Sequence, residues 1–204
     1  KMLDEAGLTK CKIVASNSLD EHIIETLLEQ GAQIDSFGVG ERLITSKSEP
    51  VFGGVYKLCA VEDEQGKIIP KIKISENTTK ITTPHFKKVY RLYEKESGKA
   101  NADQLCVYDE TLAETKPHEL FDPEATWKST LVTHFTAREL LVPVFRNGEC
   151  VYDLPDIETI RNYCAEQIDL LWDEVKRFEN PHTYYVDLSQ KLWDIKDRLL
   201  KERA

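Results

Sequence analysis

The sequence predicts an α/β chain, and three observations lead there. Residues 11–46 alternate short apolar runs with one stretch of helical period, the pattern of strands joined by a crossover helix. From Pro50 to about Leu154, short apolar runs pair up around turn residues, as hairpins do. The last fifty residues place apolar side chains at helical spacing. These textures divide the chain into 1–49, 50–154 and 155–204.

The start, Lys1 to Gly7, reads as the last turns of an amphipathic helix stopped by Gly7. Cys11–Ser16 has the length of a buried strand. Ser18 with Glu21 three residues on forms a capping box, after which Leu19, Ile23, Ile24, Leu27 and Leu28 recur on one face and Gly31 ends the helix. Gln33–Phe37 is the next strand, and Gly38-Val39-Gly40 turns it into a short helix from Glu41 to Thr45. Strand, crossover and strand in so few residues imply neighbouring parallel strands.

Three hairpins are expected after that. Val55–Glu62 and Lys67–Ser75 flank Asp63-Glu64-Gln65-Gly66, and Lys88–Glu94 and Ala102–Asp109 flank Ser97-Gly98. Leu140–Phe145 and Cys150–Leu154 flank Asn147-Gly148, a type I′ signal, with Pro143 marking an edge strand. Residues 110–130 read as loop. A helix capped by Asp156 carries a stripe from Ile157 through Trp172 to Phe178 and stops before Pro181. A second helix, capped by Asp187 with Gln190, carries Leu192, Trp193, Ile195 and Leu199, so the chain should close as a helical hairpin with Trp172 and Trp193 packed between helices.

Composition removes whole classes of function. A net charge of −9 lacks the cationic surface that nucleic acid requires. No apolar run reaches the roughly 20 residues of a membrane span, and a mean hydropathy of −0.44 reads as soluble. Five cysteines, odd in number and without metal spacing, read as free thiols. The five histidines stand near no Ser or Cys nucleophile pattern, Asp63-Glu64 reads as a solvated turn, and Arg138 as an interface or local ion-pair residue. Lys57 and Arg91 are candidate contacts for an anionic substrate, although each also suits an ordinary strand surface.

The strongest local signal for chemistry is the pairing of Ser16-Asn17 at one strand end with Gly38-Val39-Gly40 at the next. Ligands of parallel α/β folds sit at the carboxyl ends of strands, often as phosphates against a short helix. Glycine lets the main chain approach phosphate oxygens and adopt positive φ, a helix start offers N–H groups, and Ser16 and Asn17 add side-chain donors. The third glycine of a dinucleotide fingerprint is absent, as is the Gly-Lys-Ser/Thr of a P-loop.

Longer strings extend this pattern along the chain. Val14-Ala15-Ser16-Asn17-Ser18-Leu19-Asp20-Glu21, Ile34-Asp35-Ser36-Phe37-Gly38-Val39-Gly40 and Gly53-Gly54-Val55-Tyr56-Lys57-Leu58 follow one another in order. Thr83-Pro84, Lys88-Val89-Tyr90-Arg91, Ala137-Arg138-Glu139-Leu140-Leu141-Val142-Pro143, Asn180-Pro181-His182 and Tyr185-Val186-Asp187-Leu188-Ser189 continue the series. Together they resemble the nicotinate phosphoribosyltransferase family over nearly the whole chain.

The resemblance implies the last strands of an irregular (β/α) barrel followed by hairpins and a C-terminal pair of helices. It implies an enzyme of NAD biosynthesis that joins nicotinate to phosphoribosyl pyrophosphate with coupled ATP hydrolysis, using Mg2+, as a cytoplasmic homodimer. By the same resemblance, Gly38-Val39-Gly40 and the backbone of Glu41 hold the 5′-phosphate, with Ser16 and Asn17 beside it. Family members often carry threonine where this chain has Glu41, and a carboxylate repels phosphate, so its side chain is expected to point away or to meet a ribose hydroxyl. The family's base-binding arginine, phosphorylated histidine and earlier strands have no counterpart. The chain therefore reads as the last two-fifths of the enzyme, inactive alone. Two other readings are a nicotinamide- or quinolinate-type transferase and a non-catalytic interaction module.

Overall fold

The computed structural model describes residues 2–51 and 53–202. The chain forms two compact units, Lys1–Tyr56 and Lys57–Ala204.

The first unit is mixed α/β: α1 (Met2–Glu5), β1 (Val14–Ser16), α2 (Glu21–Glu29), β2 (Ser36–Gly38) and α3 (Glu41–Ile44). As expected, β1 and β2 are parallel, with Val14, Ala15 and Ser16 opposite Ser36, Phe37 and Gly38. The start of α2 departs from expectation. Asp20, extended at φ −141°, is the N-cap and accepts the Ile23 N–H at 2.9 Å. Ser18 sits at φ 52° in the loop, a conformation from which its hydroxyl cannot serve as an N-cap. The other end follows the sequence: Gly31 at φ 78° lets the N–H groups of Gly31 and Ala32 reach the carbonyls of Leu28 and Leu27, a Schellman closure.

The second unit begins with β3 (Ala60–Glu62) and β4 (Ile68–Pro70), antiparallel, joined by a turn in which Asp63 accepts the N–H groups of Gln65 and Lys67. A 3-10 turn (Thr78–Lys80) leads to β5 (Lys87–Glu94), β6 (Ala100–Val107), β7 (His118–Phe121), β8 (Ser129–Val132) and β9 (Phe135–Glu139). A short ladder, β10 (Phe145–Arg146) and β11 (Glu149–Cys150), turns at Asn147 and Gly148, both at positive φ as type I′ demands. Next come α4 (Ile157–Asp169), α5 (Asp173–Lys176), β12 (Tyr185–Leu188) and α6 (Gln190–Lys201).

Four strands form the main sheet in the order β12-β6-β5-β9, antiparallel except where β12 runs parallel to β6. Strand alternation decides what covers each face. Tyr90, Leu92, Ala102 and Cys106 join Leu120, Val132 and Phe135 in one core under the β7–β8 hairpin. Val107 and Leu188 meet Leu192 of α6, with Leu105, Trp193 and Ile195 around them. Cys106 is buried, and desolvation pushes its thiol up to about 12.

Several expectations change in this unit. Residues 110–130 contain β7 and the start of β8, because their apolar residues close the core under β5 and β6. The stripe from Ile157 to Phe178 is not one helix. After Asp169 the helix meets the β5–β6 turn: the Ala100 N–H takes the Leu170 carbonyl at 2.8 Å, while Lys99 Nζ takes those of Asp169 and Leu171. Asp187 lies in β12, and Ser189 caps α6, accepting the Leu192 N–H at 3.2 Å. The tryptophans pack elsewhere than expected: Trp172 Nε1 donates to Asn101, and Trp193 lies edge-on to Phe121 and donates to the Pro123 carbonyl.

Ser189 is buried and also donates to Glu110 at 2.7 Å. Losing the cap and that bond should make Ser189→Ala about 1–2 kcal/mol less stable in denaturant titration. Asp187→Asn should show no cap-type loss.

Candidate functional site

Ser16 ends β1, Gly38 ends β2, and the two are direct partners in the ladder. Both loops therefore leave from the same carboxyl end of the parallel pair, where ligands of such sheets bind. The approach is close: a Cβ on Gly38 would lie 3.2 Å from Ser16 Oγ. Gly38 and Gly40 are exposed, and Val39 between them is half-buried.

The glycines work differently from the expectation of positive φ. Positive φ belongs instead to Asn17 (91°) and Ser18 (52°), while Gly40 lies at φ −101°. Asparagine tolerates that region better than most residues, so the tight bend falls on the Ser16-Asn17 side. A Cβ on Gly40 would meet nothing within 4 Å, so packing of the described residues does not demand glycine there. What glycine leaves at position 40 is an open main chain at the start of α3, an end no side chain caps. With four residues α3 has little macrodipole, and it is the free N–H groups of its first turn that an anion can use.

Charges around the turn are arranged pairwise. The Glu41 side chain is 76% exposed and lies 3.5 Å from Lys47 Nζ, turned to a lysine of the following segment. Arg42 is 3.1 Å from Asp20, so the first turn of α3 is pinned to the N-cap of α2. This clasp was missed in the sequence. Asp20 and Arg42 lie twenty-two residues apart, and no local signal in the sequence pairs them. At the opposite end of the strands, Asp35 accepts the Ile13 N–H at 2.8 Å and Lys12 Nζ at 2.9 Å, contacts that hold its carboxyl below the usual range.

The remaining candidates divide clearly. Arg91 is committed to Asp103 through bonds of 2.7 and 2.8 Å, and Tyr184 donates to the same carboxylate. That pairing raises the Arg91 pKa, and the guanidinium is not free for a substrate. Arg138 donates to Gln167 and stacks over Tyr93. His118 bonds Gln104 at 2.7 Å, and burial lowers its pKa, the signature of a neutral core histidine. Lys57 is exposed. Among the described residues, no three His, Cys, Asp or Glu side chains converge as a metal site, and no helix is long and apolar enough to cross a membrane.

Residues 86–196 match the family described as nicotinate phosphoribosyltransferase C-terminal domain. The chain belongs to the nicotinate phosphoribosyltransferase family. It is 44% identical over 202 residues to the Bacillus subtilis (strain 168) nicotinate phosphoribosyltransferase, covering 99% of this chain and 41% of that protein. The Caenorhabditis elegans nicotinate phosphoribosyltransferase is 34% identical over 199 residues, covering 96% of this chain and 34% of that protein. The chain thus spans between a third and about two-fifths of these relatives. The crystal structure of human nicotinic acid phosphoribosyltransferase superposes with a TM-score of 0.67 at 21% identity, over 98% of this chain and 36% of that one, a likeness of fold.

Asp35 yields a pH test. Its folded pKa lies below the ordinary 3.8, so its stabilising contribution is complete above that value and disappears as pH falls through the lower folded value. Asp35→Asn should lower the melting temperature at pH 7 and should flatten the acid limb of the stability profile below about pH 4.

Proposed function

We propose that the chain is the C-terminal part of a nicotinate phosphoribosyltransferase. The complete enzyme joins nicotinate to phosphoribosyl pyrophosphate, gives nicotinate mononucleotide and pyrophosphate, and couples this to ATP hydrolysis in NAD biosynthesis. The observation that carries the role of this segment is the direct pairing of Ser16 with Gly38, which sets two loops at one end of a parallel pair.

In this reading the 5′-phosphate rests on Gly38-Val39-Gly40 and the Glu41 N–H, with Ser16 and Asn17 donating from the neighbouring loop. The Glu41 carboxylate stays with Lys47, which removes its repulsion from the phosphate. Pinning the phosphate positions the ribose for departure of pyrophosphate, a contribution of orientation. β1 and β2 would be the last strands of the family's irregular barrel. Val14 in β1, at 64% exposure, supports this, since parallel strands are normally covered on both faces. Mg2+ and ATP belong to the complete enzyme, where the metal would polarise pyrophosphate oxygens. Among the described residues no donor set for a metal converges, and none is assigned to it. The enzyme would act as a cytoplasmic homodimer.

Gly40 separates ligand binding from folding. Its surroundings are open, so Gly40→Ala should change stability by no more than about 1 kcal/mol. In the full-length enzyme it should raise the KM for phosphoribosyl pyrophosphate about tenfold or more, with little change in kcat. An unchanged KM would place the phosphate elsewhere.

A further inference from the structure

Asp187 followed by Gln190 has the spacing of a capping box. Ser189 caps α6 instead, so Asp187 is left in the middle of an edge strand, opposite Gln104 of β6. It is only 5% exposed. Among the described residues its carboxylate has no hydrogen-bond or ion-pair partner. What it reaches is a cleft of about 370 Å³ between the sheet and the β7–β8 hairpin.

The walls of the cleft include Leu120, Phe121 and Val132, and its polar rim includes Asn101, Lys128 and Thr130. Two other charged groups face it: Asp122 from the segment after β7 and Lys128 from the segment before β8. Asp122 is engaged with the N–H groups of Glu124 and Ala125, and Lys128 pairs with neither aspartate. Burying a carboxylate without a partner is costly. Here the cost shows in the carboxyl group itself, which burial and then the Asp122 charge raise to about 6.

An apolar-walled cleft of this volume is of small-molecule size. Its one deeply buried polar group is an acceptor carrying negative charge, next to a second aspartate. The group that completes such a site is a cation with N–H donors, which satisfies both oxygens of a carboxylate and offsets the two acidic charges. We propose that this cleft binds a small organic cation, an amidinium, guanidinium or protonated amine on a compact apolar body, with Asp187 as its counter-ion. The cleft lies in the second unit and does not depend on the phosphate-binding reading of the first.

The probe is benzamidinium, with neutral benzamide as its near-isostere, titrated into the full-length enzyme and followed by amide chemical shifts. Benzamidinium should perturb Asn101, Thr130 and Asp187, bind at least about tenfold more tightly than benzamide, and weaken about tenfold or more in Asp187→Asn. Its affinity should fall as pH drops below about 6, where Asp187 takes up a proton. The same variant separates loss of the site from loss of the fold. Because the folded pKa of Asp187 exceeds 3.8, its ionisation opposes folding as pH rises from about 4 to 6. Asp187→Asn should therefore melt higher than the parent at pH 7 while binding benzamidinium more weakly. Equal binding of benzamide, unchanged binding by Asp187→Asn, or no shifts around the cleft would overturn the assignment. So would an Asp187-dependent dimer that benzamidinium leaves intact, because the carboxylate would then be serving a residue of another copy.

Discussion

The parallel pairing of β12 with β6 is the constraint on which most of the second unit depends. It joins residues about eighty positions apart, Tyr185–Leu188 against Ala102–Leu105. The Ser189 N–H extends the ladder to the Leu105 carbonyl, which sets where α6 begins. That start places Leu192 over Val107 and Leu188, closing the core on one face of the sheet. On the opposite face the same strand carries Asp187 to the β7–β8 cleft. Register and core closure thus follow from one ladder of four residues.

This also explains which parts of the fold could be seen in the sequence. Elements whose signals are local were legible: the parallel β1–β2 pair, the Schellman closure at Gly31, the Asp156 cap, and the turns at Gly66, Gly98 and Asn147-Gly148. Elements made by distant partners were not. Tyr185-Val186-Asp187-Leu188 is too short to announce a strand, and Asp187 followed by Gln190 imitates a capping box. Residues 157–178 keep a helical period throughout, and nothing local shows that Lys99 and Ala100 take the carbonyls near Leu170. In each case a hydrogen bond across the chain outweighed a propensity along it.

The strand-end turn was read correctly as a juxtaposition and incorrectly in its backbone detail. Neighbouring parallel strands that end near Ser16 and Phe37, as the sequence suggests, bring the two loops together, and the ladder pairs Ser16 with Gly38. The distribution of positive φ does not follow, because Asn17 can share the bend that glycine was expected to make. Arg42 and Asp20 add an ion pair across the two loops, giving the turn a fixed relation to the helix before it. With Glu41 held by Lys47, the charges nearest the turn are internally balanced, and the main chain of Gly38 to Glu41 remains its open polar surface.

The five cysteines divide into two chemical populations. Cys11, Cys150 and Cys164 are exposed and Cys59 is partly so, whereas Cys106 is sealed in the sheet core with a thiol pushed up to about 12. Thiolate is the reactive form, so Cys106 is silent toward alkylating reagents on two counts, access and ionisation. It gains reactivity only when β5, β6 and the β7–β8 hairpin part from one another. The protein thus carries a built-in clock for the opening of its main sheet: four thiols label at the pace of surface chemistry, and the fifth at the pace of core exposure.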